Sequence, residues 1–189
     1  MRLRMAGFSL LEMLVAMAVS AVLMLSAGRF LPLLIGESLR LQQRVQLRED
    51  LQQLMQTLEK AVRRAGYCNG ECGGTALSLS SGCLLLRWDD NSNGKWEGVS
   101  HSESDYYGFR LRQKQLETQR GVDSCGGTGW ERLTDPAFLT IEQFSVERTG
   151  ALIKLRLAGR AGRWLETLES WIEGENLSIN KATARWAWC

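Results

Sequence analysis

Hydrophobic positions along this chain follow three successive patterns. From Phe8 to Gly28 the run is almost continuous, with 16 apolar residues of 21 and only Ser9, Glu12, Ser20, Ser26 and Gly28 as exceptions. A helix of that length rises about 30 Å, enough to cross a bilayer. Apolar residues continue through Phe30, Leu31, Leu33, Leu34 and Ile35, interrupted by Arg29, Pro32 and Gly36. Pro32 predicts a kink or local unwinding, because proline removes a backbone donor. From Glu37 to Arg64 the composition turns to Gln, Arg, Glu and Leu. Leu47, Leu51, Leu54, Met55, Leu58, Val62 and Ala65 recur there at three- and four-residue steps, the stripe of an amphipathic helix. Gly66 is the expected stop, with Arg63 and Arg64 favouring a helix C-terminus. Straight from Phe8 to Arg64, such a helix would measure about 85 Å. A coiled coil is the weaker reading, since the stripe is too short. Arg48, Glu49, Asp50, Glu59 and Lys60 form its expected solvated face.

Beyond residue 66 the period shortens. Short or alternating apolar runs occupy Ala76–Ser80, Cys83–Trp88, Tyr106–Arg112, Leu139–Glu147, Leu152–Leu157 and Trp164–Trp171. Gly73-Gly74, Ser81-Gly82, Asn93-Gly94, Gly126-Gly127, Thr149-Gly150 and Gly159 are the expected turns between them. The fold class that follows is α+β: a long N-terminal helix, membrane-spanning and then amphipathic, packed on an antiparallel β-sheet domain. Five of the seven tryptophans fall at or near these runs and are expected to fill the core or sheet. The expected organisation is a leader at 1–7, a membrane and assembly helix at 8–36, an amphipathic continuation at 37–66 and a β-rich domain at 67–189.

Charge adds topology rather than a ligand class. With 23 Lys plus Arg against 21 Asp plus Glu, the net charge of +2 gives no electrostatic case for nucleic acid contact. Arg2 and Arg4 precede the apolar run, so the N-terminus is expected in the cytoplasm and everything after Arg29 across the membrane. The five cysteines, Cys68, Cys72, Cys83, Cys125 and Cys189, all follow the membrane segment, in a compartment that favours disulfides. The expected bridges are Cys68–Cys72 and Cys83–Cys125, with Cys189 left over, among several pairings that five cysteines allow. A four-cysteine zinc site is the rival.

Catalysis finds no support. The single histidine, His101, lies in the polar run Ser100–Ser104 without partner spacing for a nucleophile or a metal, and no phosphate-binding or dinucleotide loop is present. Asp89-Asp90-Asn91-Ser92-Asn93-Gly94-Lys95-Trp96-Glu97 places oxygen ligands at the first, third and fifth positions of a half EF-hand loop, with Glu97 at the ninth. Position twelve is Ser100 rather than the bidentate Glu. Asp89, Asn91, Asn93 and Glu97 are therefore candidate calcium ligands, weighed against a plain Asn93-Gly94 turn that needs no metal.

Glu12 is the anomaly of the apolar run, since a carboxylate in a membrane helix is costly unless shallow or paired. Cleavage after Gly7 would turn the Phe8 nitrogen from a neutral amide into a cation four residues from Glu12 on one helical face. A basic leader ending in glycine, followed by Phe8-Ser9-Leu10-Leu11-Glu12, resembles the processing signature of type IV pilins and type II secretion pseudopilins. The resemblance implies that prepilin peptidase cuts after Gly7 and methylates Phe8, and that Glu12 makes an intersubunit contact in a filament. It implies an inner-membrane subunit with a periplasmic domain, working with other minor and major pilins or pseudopilins and an inner-membrane assembly platform. In this family calcium loops occur, so calcium is the one cofactor it brings into view. The large distal domain is similar to that of J-type minor pilins, thought to initiate or cap the filament at its tip. A secreted binding protein with a signal peptide ending near Ser26-Ala27-Gly28, and an anchored calcium-dependent module that never polymerises, are the alternatives.

Overall fold

The computed structural model describes residues 9–177, which divide into two compact units with the boundary between Gln43 and Arg44. Helix α1, Leu10–Arg64, contributes to both. In the first unit every described residue up to Ile35 is exposed, including Leu10, Leu14, Leu23, Phe30 and Leu34. The helix stays α-helical through Pro32, so the expected local unwinding does not occur. Pro32 removes one hydrogen bond, but the turns on either side keep theirs.

In the second unit α1 supplies Leu47, Leu51, Met55, Leu58, Ala61 and Val62 to a core shared with the sheets. Leu54, in the sequence stripe, is only partly buried at the edge of that core. The helix stops where expected: Gly66 takes φ +84°, and its N–H donates to Arg87 O at 2.8 Å. Five antiparallel strands form one sheet in sequence order: β1 Leu77–Ser80, β2 Cys83–Arg87, β3 Tyr106–Arg112, β4 Gln115–Arg120 and β5 Glu131–Arg132. A second antiparallel sheet holds β6 Thr140–Thr149, β7 Leu152–Ala161 and β8 Trp164–Glu173. This is the α+β arrangement the pattern predicts.

Three features depart from the sequence reading. Strand β4 has a single strongly apolar residue, Leu116, so alternation could not reveal it; Leu116 is nevertheless fully buried opposite Leu111. Its hairpin turns through Gln113 and Lys114, at φ +51° and +61°, without the glycine such a turn favours. Second, Gly159 is no turn but an interior residue of β7; the reversal falls at Gly162, φ +55°. Third, the tryptophans do not fill the core as a group. Trp88 is buried and stacks on Tyr107, ring centroids 3.6 Å apart, whereas Trp171 points outward and is 60% exposed under Lys154.

Gly159 lies where helix and sheet approach each other. A Cβ built there would meet Leu51 Cδ2 at 2.7 Å and Leu139 Cδ1 at 3.0 Å. Gly159→Val should therefore destabilise the domain by about 1–3 kcal/mol through overpacking. Denaturant unfolding of the full chain checks this, with Gly73→Ala, which has open space around it, as the neutral control. Equal midpoints for the two variants would refute the close approach.

Candidate functional site

Two regions carry the candidate residues. The first is the start of α1. Gly7 and Phe8, the processing pair, lie outside the described residues. Ser9 precedes the helix, and its carbonyl accepts the Met13 N–H at 3.2 Å, which puts Glu12 in the first helical turn. An acidic side chain there also complements the positive end of the helix dipole, so Glu12 has a local stabilising role beside any assembly role. Glu12 is exposed. The polar groups farther along the run satisfy themselves: Ser20 and Ser26 hydroxyls donate to the carbonyls of Ala16 and Val22, at 2.7 and 2.8 Å. With no buried side chain in its apolar stretch, α1 is long and apolar enough to cross a membrane.

The second region is the Asp89–Glu97 loop, between β2 and β3. Asp89 is 1% exposed, and its carboxylate accepts N–H bonds from Asn93 at 2.9 Å, Gly94 at 2.9 Å and Asn69 at 3.0 Å. Burial raises its pKa, but backbone donors at Asn69, Gly94, Asn93 and Ser92 outweigh that and hold it below the ordinary carboxylate value. The other candidates are engaged as well. Asn91 Oδ1 accepts the Asn93 N–H, Asn93 Oδ1 accepts that of Lys95, and Glu97 Oε1 accepts from Asn93 Nδ2. Within this loop Glu97 Oε2 is a buried oxygen without a hydrogen-bond partner. These bonds shape the loop as an Asn-Gly turn stapled to a buried aspartate. Calorimetric titration of the full chain with millimolar calcium separates the two readings: a plain Asn93-Gly94 turn gives no heat, and a saturable heat lost in Asp89→Asn assigns the loop to calcium.

Asp105, which the spacing did not single out, completes the loop's base. It is fully buried, and its two oxygens accept the Asp90 and Glu97 N–H groups at 3.1 and 3.0 Å. Burial, then the neighbouring Glu97 carboxyl, push its pKa up; the adjacent Asp105 carboxyl, then the hydrogen bond from Asn93, pull that of Glu97 down. The pH consequences oppose each other. Stability from Asp89 is present above the unfolded value of about 3.9 and lost as pH falls through its lower folded pKa. Asp105 contributes below the ordinary carboxylate range, and its share is lost as pH rises through its raised pKa. An acid titration followed by tryptophan fluorescence should show the loop, which contains Trp96, persisting below the usual Asp range. That acid step should vanish in Asp89→Asn; a step unchanged by the substitution would assign it elsewhere.

The cysteines are joined as Cys68–Cys72 and Cys83–Cys125, which leaves no four-thiolate zinc set among the described residues. Cys189 lies outside the described residues, as does the Trp186–Trp188 tail. His101 is exposed, its Nδ1 accepting the Glu103 N–H at 3.1 Å. A cluster the sequence did not suggest holds the second disulfide in place. Arg110, 6% exposed, donates from Nε to Glu117 at 2.7 Å and from Nη1 to the carbonyl of Cys125 at 2.8 Å, with its guanidinium 4.2 Å from the Trp130 ring centroid.

An exposed apolar helix that continues into the core of a disulfide-bonded β domain defines a pilin-like protein carrying a prepilin-type N-terminus. Residues 2–28 match the prokaryotic N-terminal methylation motif, and residues 40–173 match the family described as prepilin peptidase-dependent protein B. The chain belongs to the prepilin peptidase-dependent protein B family. It is 45% identical over 144 residues to prepilin peptidase-dependent protein B of Escherichia coli (strain K12), covering 75% of this chain and 77% of that protein. No solved structure matches. The matched family is not a known enzyme family, and the N-terminal helix is consistent with a single-pass membrane anchor.

Proposed function

We propose that this chain is a minor pilin or pseudopilin that helps to initiate or cap a type IV pilus or pseudopilus. Prepilin peptidase removes residues 1–7 and methylates Phe8. The helix over 8–36 holds the subunit in the inner membrane, and the domain from residue 67 onward lies in the periplasm. At the assembly platform the helix leaves the bilayer for a bundle of other minor and major pilins, where Glu12 meets a methylated N-terminal amine. The distal domain chooses neighbours at the filament tip.

One observation carries this reading: α1 exposes a full apolar stretch between Leu10 and Ile35, while its last turns form the core of the β domain. A detachable signal peptide has no reason to continue as the central helix of the domain that it delivers. The leader's chemistry agrees. Arg2 and Arg4 are its only charges, so the mature chain keeps 21 basic and 21 acidic side chains, and the excess belongs to a topological tag.

Intact-mass measurement of the chain recovered from its native membrane tests the proposal. A mature start at methylated Phe8 supports it. A start near Arg29 would mean secretion of a binding module, and retained Met1 a plain anchor; either result overturns it.

A further inference from the structure

After α1 the chain reverses at Gly66 and runs back along the end of β2. The Asp89 N–H donates to Tyr67 O at 2.9 Å, and the Asn69 N–H returns a bond to the Asp89 carboxylate. Gly70 is pressed against Gly94 so closely that a Cβ on Gly70 would lie 2.8 Å from Gly94 Cα. These contacts seat the Cys68–Cys72 loop directly on Asp89. The bonded sulfurs of this pair and a carboxylate oxygen of Asp89 all lie within 4.8 Å of one another, so opening the disulfide would leave two thiols beside that carboxylate. Asp89 is buried, and its backbone donors at Asn69, Asn93 and Gly94 fix where its carboxylate points. On the other side Cys68 and Cys72 line a cleft of about 880 Å³, together with Trp96 and Arg148, so the sulfurs can be reached from solvent.

We propose that in the reduced chain Cys68, Cys72 and Asp89 form a three-ligand site for a thiophilic divalent cation of the zinc class, with the disulfide and the bound metal as alternative states of the same pair. A dithiol reductant breaks the Cys68–Cys72 S–S bond, becomes a disulfide itself and leaves two thiols. Zinc then forms two S–Zn bonds and one carboxylate O–Zn bond, and the two thiol protons pass to solvent. Water from the cleft completes the tetrahedron. Two thiolates select zinc over calcium, which prefers an all-oxygen shell. The site differs from a four-cysteine centre because Cys83 and Cys125 take no part. Its consequence is chemical protection: a domain that meets zinc before oxidant would keep these thiols from mispairing, and oxidation would expel the ion.

The test uses the full chain in detergent, reduced with a dithiol that is then removed under anaerobic conditions. With zinc added, about one equivalent should stay bound after desalting. Peptide mass mapping should show Cys68 and Cys72 alkylated at least about tenfold more slowly than without zinc, with Cys83 and Cys125 unaffected. Asp89→Asn should weaken zinc binding by about tenfold or more. Cys72→Ser, which leaves Asp89 and its donors intact, should abolish the shielding of Cys68. Equal alkylation of Cys68 and Cys72 with and without zinc, or shielding centred on Cys83 and Cys125, would overturn the site.

Discussion

Filaments assembled from cells that supply wild-type and Glu12→Val chains in equal amounts should be depleted in the variant on the order of a hundredfold, the scale expected when one partner of a buried ion pair is removed. In the membrane the two chains should be equally abundant. A valine at this position costs nothing in a bilayer, whereas Glu12 does, so insertion does not select for the carboxylate. The difference arises only on transfer into a bundle, where a methylated amine would be left without a counter-charge. Glu12→Gln separates this from the helix-start role. Gln keeps hydrogen-bonding capacity in the first turn but has no charge, so it should assemble as poorly as the valine variant if pairing is decisive. Quantitative mass spectrometry of sheared filaments reads both variants. Equal incorporation of wild type and Glu12→Val would remove Glu12 from assembly and leave it as a first-turn acid.

The second large effect is expected in the distal domain. Cys83 and Cys125 are 42 residues apart in sequence, so their bond constrains a long loop in the unfolded chain. Chain-entropy arguments put its contribution at about 4 kcal/mol, and the double variant Cys83→Ser, Cys125→Ser should lose most of that. Some should survive, because Arg110 independently holds the carbonyls of Cys125 and Gly126 at 2.8 and 3.2 Å. Adding Arg110→Ala should then cost more in the disulfide-free chain than in the wild type, the signature of two devices securing one loop. Guanidinium unfolding followed by tryptophan fluorescence measures each term. Unchanged midpoints in the double variant would show that the loop is secured without the disulfide.

The helix was readable because its determinants are local. A sustained apolar run, a Leu stripe at helical spacing and Gly66 each state their role within a few residues, and the structure places Leu47, Leu51, Met55, Leu58 and Val62 in the core. Most strands declared themselves by a short apolar run or by alternation, as Cys83–Arg87 and Leu152–Ala161 respectively show. Strand β4 did not, because Gln115–Arg120 is recruited by its neighbours: Leu116 gives no local signal and is buried only once Leu111 faces it. Gly159 misled for a related reason. A glycine signals either a turn or a close approach, and only the position of Leu51 above it selects the second. In the Asp89 loop the spacing showed where oxygen atoms fall along the chain but not what occupies them. That depended on Asn69 and Asp105, distant residues whose backbone and carboxylate complete the loop.

By itself, then, the sequence determined the properties that reside in consecutive residues: a membrane-length helix, the basic residues Arg2 and Arg4 ahead of it, a start that matches the N-terminal methylation motif, and the α+β class. The tertiary structure alone decided which buried carboxylate holds the loop, that Arg110 clamps the Cys125 segment, and that Cys68, Cys72 and Asp89 converge. The physical reason is separation along the chain. Periodicity and charge act over a turn or a strand, whereas convergence of side chains requires the helix end, β2 and the loop after it to be packed first.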